Sequence, residues 1–195
     1  PDMPEITSTP IYATSKDKLF SWALKEGKKV TKDTGKISSA FDKALRIQKH
    51  SHGGIKDPGY KLNIALAGHP YNIYDNFINM NLVHKLNALD IGIITEEHIS
   101  EELINHEVST LFKRPFWTFA RNSYGFTCHL ALNKKIDGII YVSSFACGID
   151  SIVIDLIKHR LGDFPFLILK LDEHTGEAGL ETRLEAFVDM LERRC

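Results

Sequence analysis

Four short apolar runs constrain this chain more than any other feature. They are "KLNIALAG" (61–68), "DIGIIT" (90–95), "IDGIIYVSSF" (136–145) and "FPFLILKL" (164–171). Each holds four to eight residues of mostly continuous hydrophobicity, bounded by turn formers, and each is separated from the next by a stretch of helical period. Strands buried on both faces read this way, because helices from βαβ crossovers cover both sides of a parallel sheet. Right-handed crossovers then predict an α/β fold: a doubly wound, mostly parallel four-stranded sheet with helices on both faces.

The helices follow from spacing. Ile78, Leu82, Val83, Leu86 and Leu89 recur at helical intervals in "YDNFINMNLVHKLNAL", and weaker helical signals run through "EEHISEELINHEV". A long helix is expected from Pro115 through "PFWTFARNSYGFTCHLALNKK", with Trp117, Tyr124, Cys128 and Ala131 near one face. "DSIVIDLIKHRLG" and "LETRLEAFVDMLERR" follow the last two strands, the final one striped by Leu180, Leu184, Phe187, Val188 and Leu191. Residues 1–60 differ. Ser15 is placed to cap a helix over "KDKLFSWALKEGKKV", Thr34-Gly35 breaks it, and Ile37, Phe41 and Leu45 repeat in a second. The breaker cluster "HSHGGIKDPG", containing Pro58, predicts a helical lead-in over 1–60 and an α/β domain over 61–195.

Bulk properties exclude several functions. The chain has 24 basic and 25 acidic residues, so no charge excess points to nucleic acid or an anionic membrane. No apolar run is long enough to span a bilayer, and the N-terminus lacks the apolar core of a secretory signal. Three cysteines, Cys128, Cys147 and Cys195, are too few for a disulfide framework, so a reducing, cytoplasmic setting is expected. The chain opens on Pro1, which reads as a piece of something longer.

Ligands of open α/β sheets bind beyond the carboxyl ends of the strands. Three polar segments fall on that edge: "GHPYNIYD", with His69, Tyr71, Asn72 and Asp75; "FACGIDS", with Cys147, Asp150 and Ser151; and "DEHTGEAGLETR", with Asp172, Glu173, His174, Glu177 and Arg183. Each also has a purely structural reading. His69 and Asp75 can end a strand and cap a helix, and Cys147 can be a buried thiol whose neighbours Asp150 or Ser151 cap the next helix. Cys128 sits in an apolar helical register and reads as core. Arg183 lies near the positive end of a helix dipole, where Asp172, Glu173 or Glu177 would compensate it. Two other chemistries remain open: a nucleophile, Cys147 or Ser151, with His174 as base oriented by Asp172, and a divalent metal on Asp172, Glu173, His69 and His174.

"HPYNIYD", "GIIYVSSFACGIDS" and "DEHTGEAGLETRLEAF" together resemble the activator-related proteins of the 2-hydroxyacyl-CoA dehydratase system (CoA-substrate-specific enzyme activase-related) over about residues 61–194. The strand-to-cysteine segment and "TRLEAF" are more distantly similar to the iron–sulfur subunits of those dehydratases. The resemblance implies an α/β fold, a cytoplasmic setting in anaerobic metabolism, and possible contact with acyl-CoA. It makes Cys147 a candidate ligand of a [4Fe–4S] cluster, whose other thiolates would come from the remainder of a longer chain or from an activase or dehydratase subunit. Family members usually show Cys-Gly-Pro-Asp-Ser; here Ile149 holds the proline position. No P-loop signature occurs, so the stretch is not expected to be the ATPase. The other reading is a non-catalytic binding or assembly module of a multidomain protein.

Overall fold

The protein is described here by a computed structural model, which covers residues 9–11, 15–50, 53–57 and 59–194. Pro58 of the breaker cluster and Cys195 lie outside the described residues. The chain divides into two compact units, 1–52 and 53–195.

The first unit is a helical hairpin of α1 (Lys16–Gly27) and α2 (Thr34–His50). Ser15 caps α1 as its sequence suggests, its side chain accepting from the Lys18 N–H at 3.3 Å. Thr34-Gly35 does not stand between the helices but opens the second one. Asp33 makes this possible: its Oδ1 accepts from the N–H groups of Gly35 and Lys36, so the glycine is absorbed into a capped first turn. Phe20 and Phe41 pack ring to ring at 5.1 Å across the hairpin.

The second unit contains β1 (Leu62–Gly68), β2 (Ile91–Ile94), β3 (Gly138–Ser144) and β4 (Phe166–Leu171), ordered β2-β1-β3-β4 with every pair parallel. This is the α/β architecture expected from the apolar runs. Alternate residues of each strand feed separate cores. Leu62, Ile64, Leu66, Ile140, Val142 and Leu169 face one way; Ala65, Ala67, Ile139 and Tyr141 face the other. The first core is closed by α3 (Pro70–Tyr74), α4 (Leu82–Ala88) and α8 (Glu177–Glu192); the second by α5 (Glu101–Val108), α6 (Thr118–Leu132) and α7 (Gly148–Leu161). On α8 the predicted stripe, Leu180 through Leu191, is buried in full. Each such side chain contributes about 1.5–3 kcal/mol. Gly125 lets α5 and α6 approach closely, since a Cβ there would lie 2.7 Å from Ile104.

Three local expectations are revised. The helix predicted over "YDNFINMNLVHKLNAL" forms only in its second half, as α4, with turns over 75–81, because its Asp and Asn side chains compete for the backbone. Asp75 Oδ1 accepts from the N–H groups of Phe77 and Ile78, Asn79 donates to the Ile73 carbonyl at 2.7 Å, and Met80 and Asn81 adopt positive φ. The long helix starts at Thr118 rather than Pro115, which leaves Trp117 as its exposed N-cap instead of on the buried face. Residues 53–57 sit with the α/β unit: Asp57 N–H donates to Ile93, Thr95 N–H donates to Ile55, and Lys56 bridges Ile94 in antiparallel sense. Among the described residues, no helix is long and apolar enough to cross a membrane.

Candidate functional site at the strand switch point

From β1 the chain crosses to β2 on one side; from β3 it crosses to β4 on the other. The carboxyl ends of β1 and β3 are neighbours, so the crevice of the sheet opens between them. Two tight turns deliver the side chains. Gly68 ends β1 at φ 144, with a notional Cβ only 2.2 Å from the Val142 carbonyl oxygen; no other residue fits there, and His69 is thrown onto the rim with Pro70 opening α3 behind it. After β3, Ala146 takes a positive φ of 60° in a turn closed by the Cys147 N–H on the Ser144 carbonyl. Cys147 becomes the N-cap of α7, and Asp150 falls in the first turn of that helix, directed back beneath the strand.

His69, Cys147 and Asp150 thereby converge: their ligand atoms all lie within 4.8 Å of one another. Asp150 is 1% exposed. Its Oδ1 accepts from the Tyr141 hydroxyl at 3.0 Å, and its Oδ2 from Ser143 at 2.9 Å. Burial, and then the Asp150 charge, push the Tyr141 phenol well above its ordinary range, so it stays a protonated donor. His69 Nε2 stands 3.4 Å from Asp150 Oδ1, while Tyr71 stacks on the imidazole and Phe119 meets it edge-on. The Tyr71 hydroxyl is 3.3 Å from Ser144 Oγ, which in turn donates to buried Asn72. Ser151 is turned back on its own helix, donating to the Cys147 carbonyl.

The remaining predicted residues are held elsewhere. Asp75 closes the turn after α3. Asp172 closes another: its Oδ1 accepts from the His174 N–H and from Thr175 Oγ1 at 2.8 Å, and the Thr175 bond chiefly lowers its carboxyl below the usual range. His174 is exposed beside Glu173, 3.5 Å away. Glu177, with Glu181, grips Lys85 of α4, and these bonds raise the Lys85 ammonium above its ordinary range. Arg183 donates to the Ile168 carbonyl of β4. No hydrogen bond among the described residues joins the Cys147 sulfur to either imidazole; the ring near it belongs to His69. Cys128 is fully buried, its thiol pushed up to about 12 by burial first of all, as a core cysteine should be.

Tyr141, Ser143 and Phe119 were not anticipated. The signal was present for two of them: Tyr141 and Ser143 are polar-tipped residues at i, i+2 of β3, hence on one face. Beside the rim a groove of about 360 Å³ runs between α6 and α7, lined by Phe116, Trp117, Ile149 and Ile152 with Lys113 and Arg114 at its margin.

The donor set decides what the rim can hold. One thiol, one imidazole and one carboxylate do not satisfy a [4Fe–4S] cluster, which takes cysteine thiolates; the second described cysteine is locked in the α6 core. None of the curated proteins compared matches the chain. Residues 3–99, which include His69 but neither Cys147 nor Asp150, match the family model of the CoA enzyme activase uncharacterised domain (DUF2229).

Proposed function

We propose that the chain is a metal-bearing domain of an acyl-CoA dehydratase-type system, with Cys147 as its thiolate ligand. The observation that supports this is the meeting of Cys147, His69 and Asp150 at the switch point, combined with the activase-related match over residues 3–99. An iron–sulfur centre at this rim would be a shared one, drawing its further thiolates from another polypeptide or another part of a longer chain. Within this chain, Asp150 and Tyr141 orient the rim, Tyr71 and Phe119 shield the imidazole from water, and Cys147 remains half-exposed for a partner to reach.

The test is anaerobic reconstitution with iron and sulfide, alone and with a dehydratase-type partner, followed by metal and acid-labile sulfide analysis. Metal retained by the parent protein and lost in Cys147→Ser supports the proposal. Protein that retains no metal under any of these conditions refutes it. That outcome would favour a binding or assembly module, a reading that has its own support in Phe116, Trp117 and Phe145, which stand 88%, 55% and 66% exposed.

A further inference from the structure

We infer that His69, Cys147 and Asp150 by themselves form a mononuclear site for a thiophilic divalent transition ion, Zn2+ being the type, with a fourth position open to a water or partner ligand. This rests on the reading that Cys147 is a metal ligand, and it adds the ligand set and the class of ion.

The spacing carries the inference. A neutral N–H···O hydrogen bond places its heavy atoms at about 2.7–3.2 Å. His69 Nε2 and Asp150 Oδ1 are 3.4 Å apart, an ion-pair distance beyond that range. Two ligands each about 2.05 Å from one tetrahedral ion stand about 3.3 Å apart. The pair therefore has the separation of two ligands on a metal. Cys147 Sγ lies within 4.8 Å of a ring nitrogen of His69 and of a carboxylate oxygen of Asp150. A thiolate and an imidazole on one such ion are about 3.6 Å apart, a separation that lies within this limit.

The surroundings fit as well. Hydroxyls of Tyr141 and Ser143 hold the two carboxylate oxygens from behind, the arrangement by which outer partners orient a ligating carboxylate. Oδ1 keeps a lone pair after accepting from Tyr141. Sulfur, nitrogen and oxygen donors in one set suit Zn2+ or Co2+ and suit neither Mg2+ nor Ca2+, which take oxygen. His69 and Cys147 are only partly exposed, so one side of the site faces solvent, as in zinc sites that keep an exchangeable position.

Cobalt substitution tests this. The full chain, stripped of metal under anaerobic reducing conditions, is titrated with Co2+ and followed by absorption. The expected result is one equivalent bound with the intense ligand-field bands of four-coordination and a thiolate-to-cobalt charge-transfer band, displaced by Zn2+. Cys147→Ser removes the charge-transfer band, whereas Cys128→Ser and Cys195→Ser keep it. Tyr141→Phe, which retains the ring, weakens binding by about tenfold. Circular dichroism checks each variant for folding. A spectrum of six-coordinate cobalt, or a charge-transfer band that survives Cys147→Ser, overturns the inference. If Co2+ and Zn2+ are ignored but iron and sulfide are held through Cys147, this site is refuted while the proposed function stands; if no metal is held, both fall.

Discussion

The carboxyl edge of the sheet has two polar margins of very different construction. Between β1 and β3, His69, Cys147 and Asp150 come from turns braced by the core, and the carboxylate is buried beneath two hydroxyl donors. Beyond β4, Asp172, Glu173, His174 and Glu177 are solvated, and their bonds run to their own turn or to a surface lysine. The second margin is richer in charge. Density of charge in a segment does not reveal what separates the two margins, which is whether the polar atoms are desolvated and aimed at one point.

This contrast can be broken most sharply at Gly68. Gly68→Ala puts a methyl into the Val142 carbonyl at a φ that disfavours side chains, so urea denaturation should show a loss of about 4 kcal/mol or more, with the rim dismantled. Tolerance of alanine there would mean the β1 turn does not brace the site. Next comes Asp150→Ala, which strands the Tyr141 and Ser143 hydroxyls and should cost about 3 kcal/mol in the same measurement. Asp172→Ala should move the midpoint far less, and equal losses at the two aspartates would erase the distinction.

Smaller effects sharpen it. The folded-state carboxyl of Asp172 titrates below its unfolded value, so its contribution is present above the unfolded range and vanishes as pH falls through the folded one. Melting curves of Asp172→Asn should therefore lie slightly below the parent at neutral pH and merge with it as the pH falls through the lowered range of the folded-state carboxyl. Last, Lys85→Gln should shift the melting temperature only marginally, and the shift should fade on adding salt, since the Glu177 and Glu181 pairs are surface contacts.

The sheet was legible in the sequence because fully buried parallel strands announce themselves as unbroken apolar runs. Less of the site was. His69, Cys147 and Asp150 were all singled out, yet Cys147 was paired with His174, since chain order does not reveal which strands become neighbours. The order β2-β1-β3-β4 puts the β1 and β3 ends side by side and sets the β4 loop beyond them. Tyr141 and Ser143 were hidden within a strand read for its hydrophobicity. The break after α3 was missed because Asp75 and Asn79 act through side chain–backbone bonds, which a periodicity of apolar residues does not register.

The outer strands of the sheet are guarded in two ways. Residues 55–57 lie along β2, and the Arg183 guanidinium covers the Ile168 carbonyl on β4. Unpaired strand flanks invite another molecule to zip onto them and start a fibril. Here one flank is already sealed by backbone and the other carries a fixed cation, so an intruding chain would have to displace a charge before it could pair. Arg183, which the sequence offered as part of a binding pocket, is held at this flank by its bond to the β4 backbone.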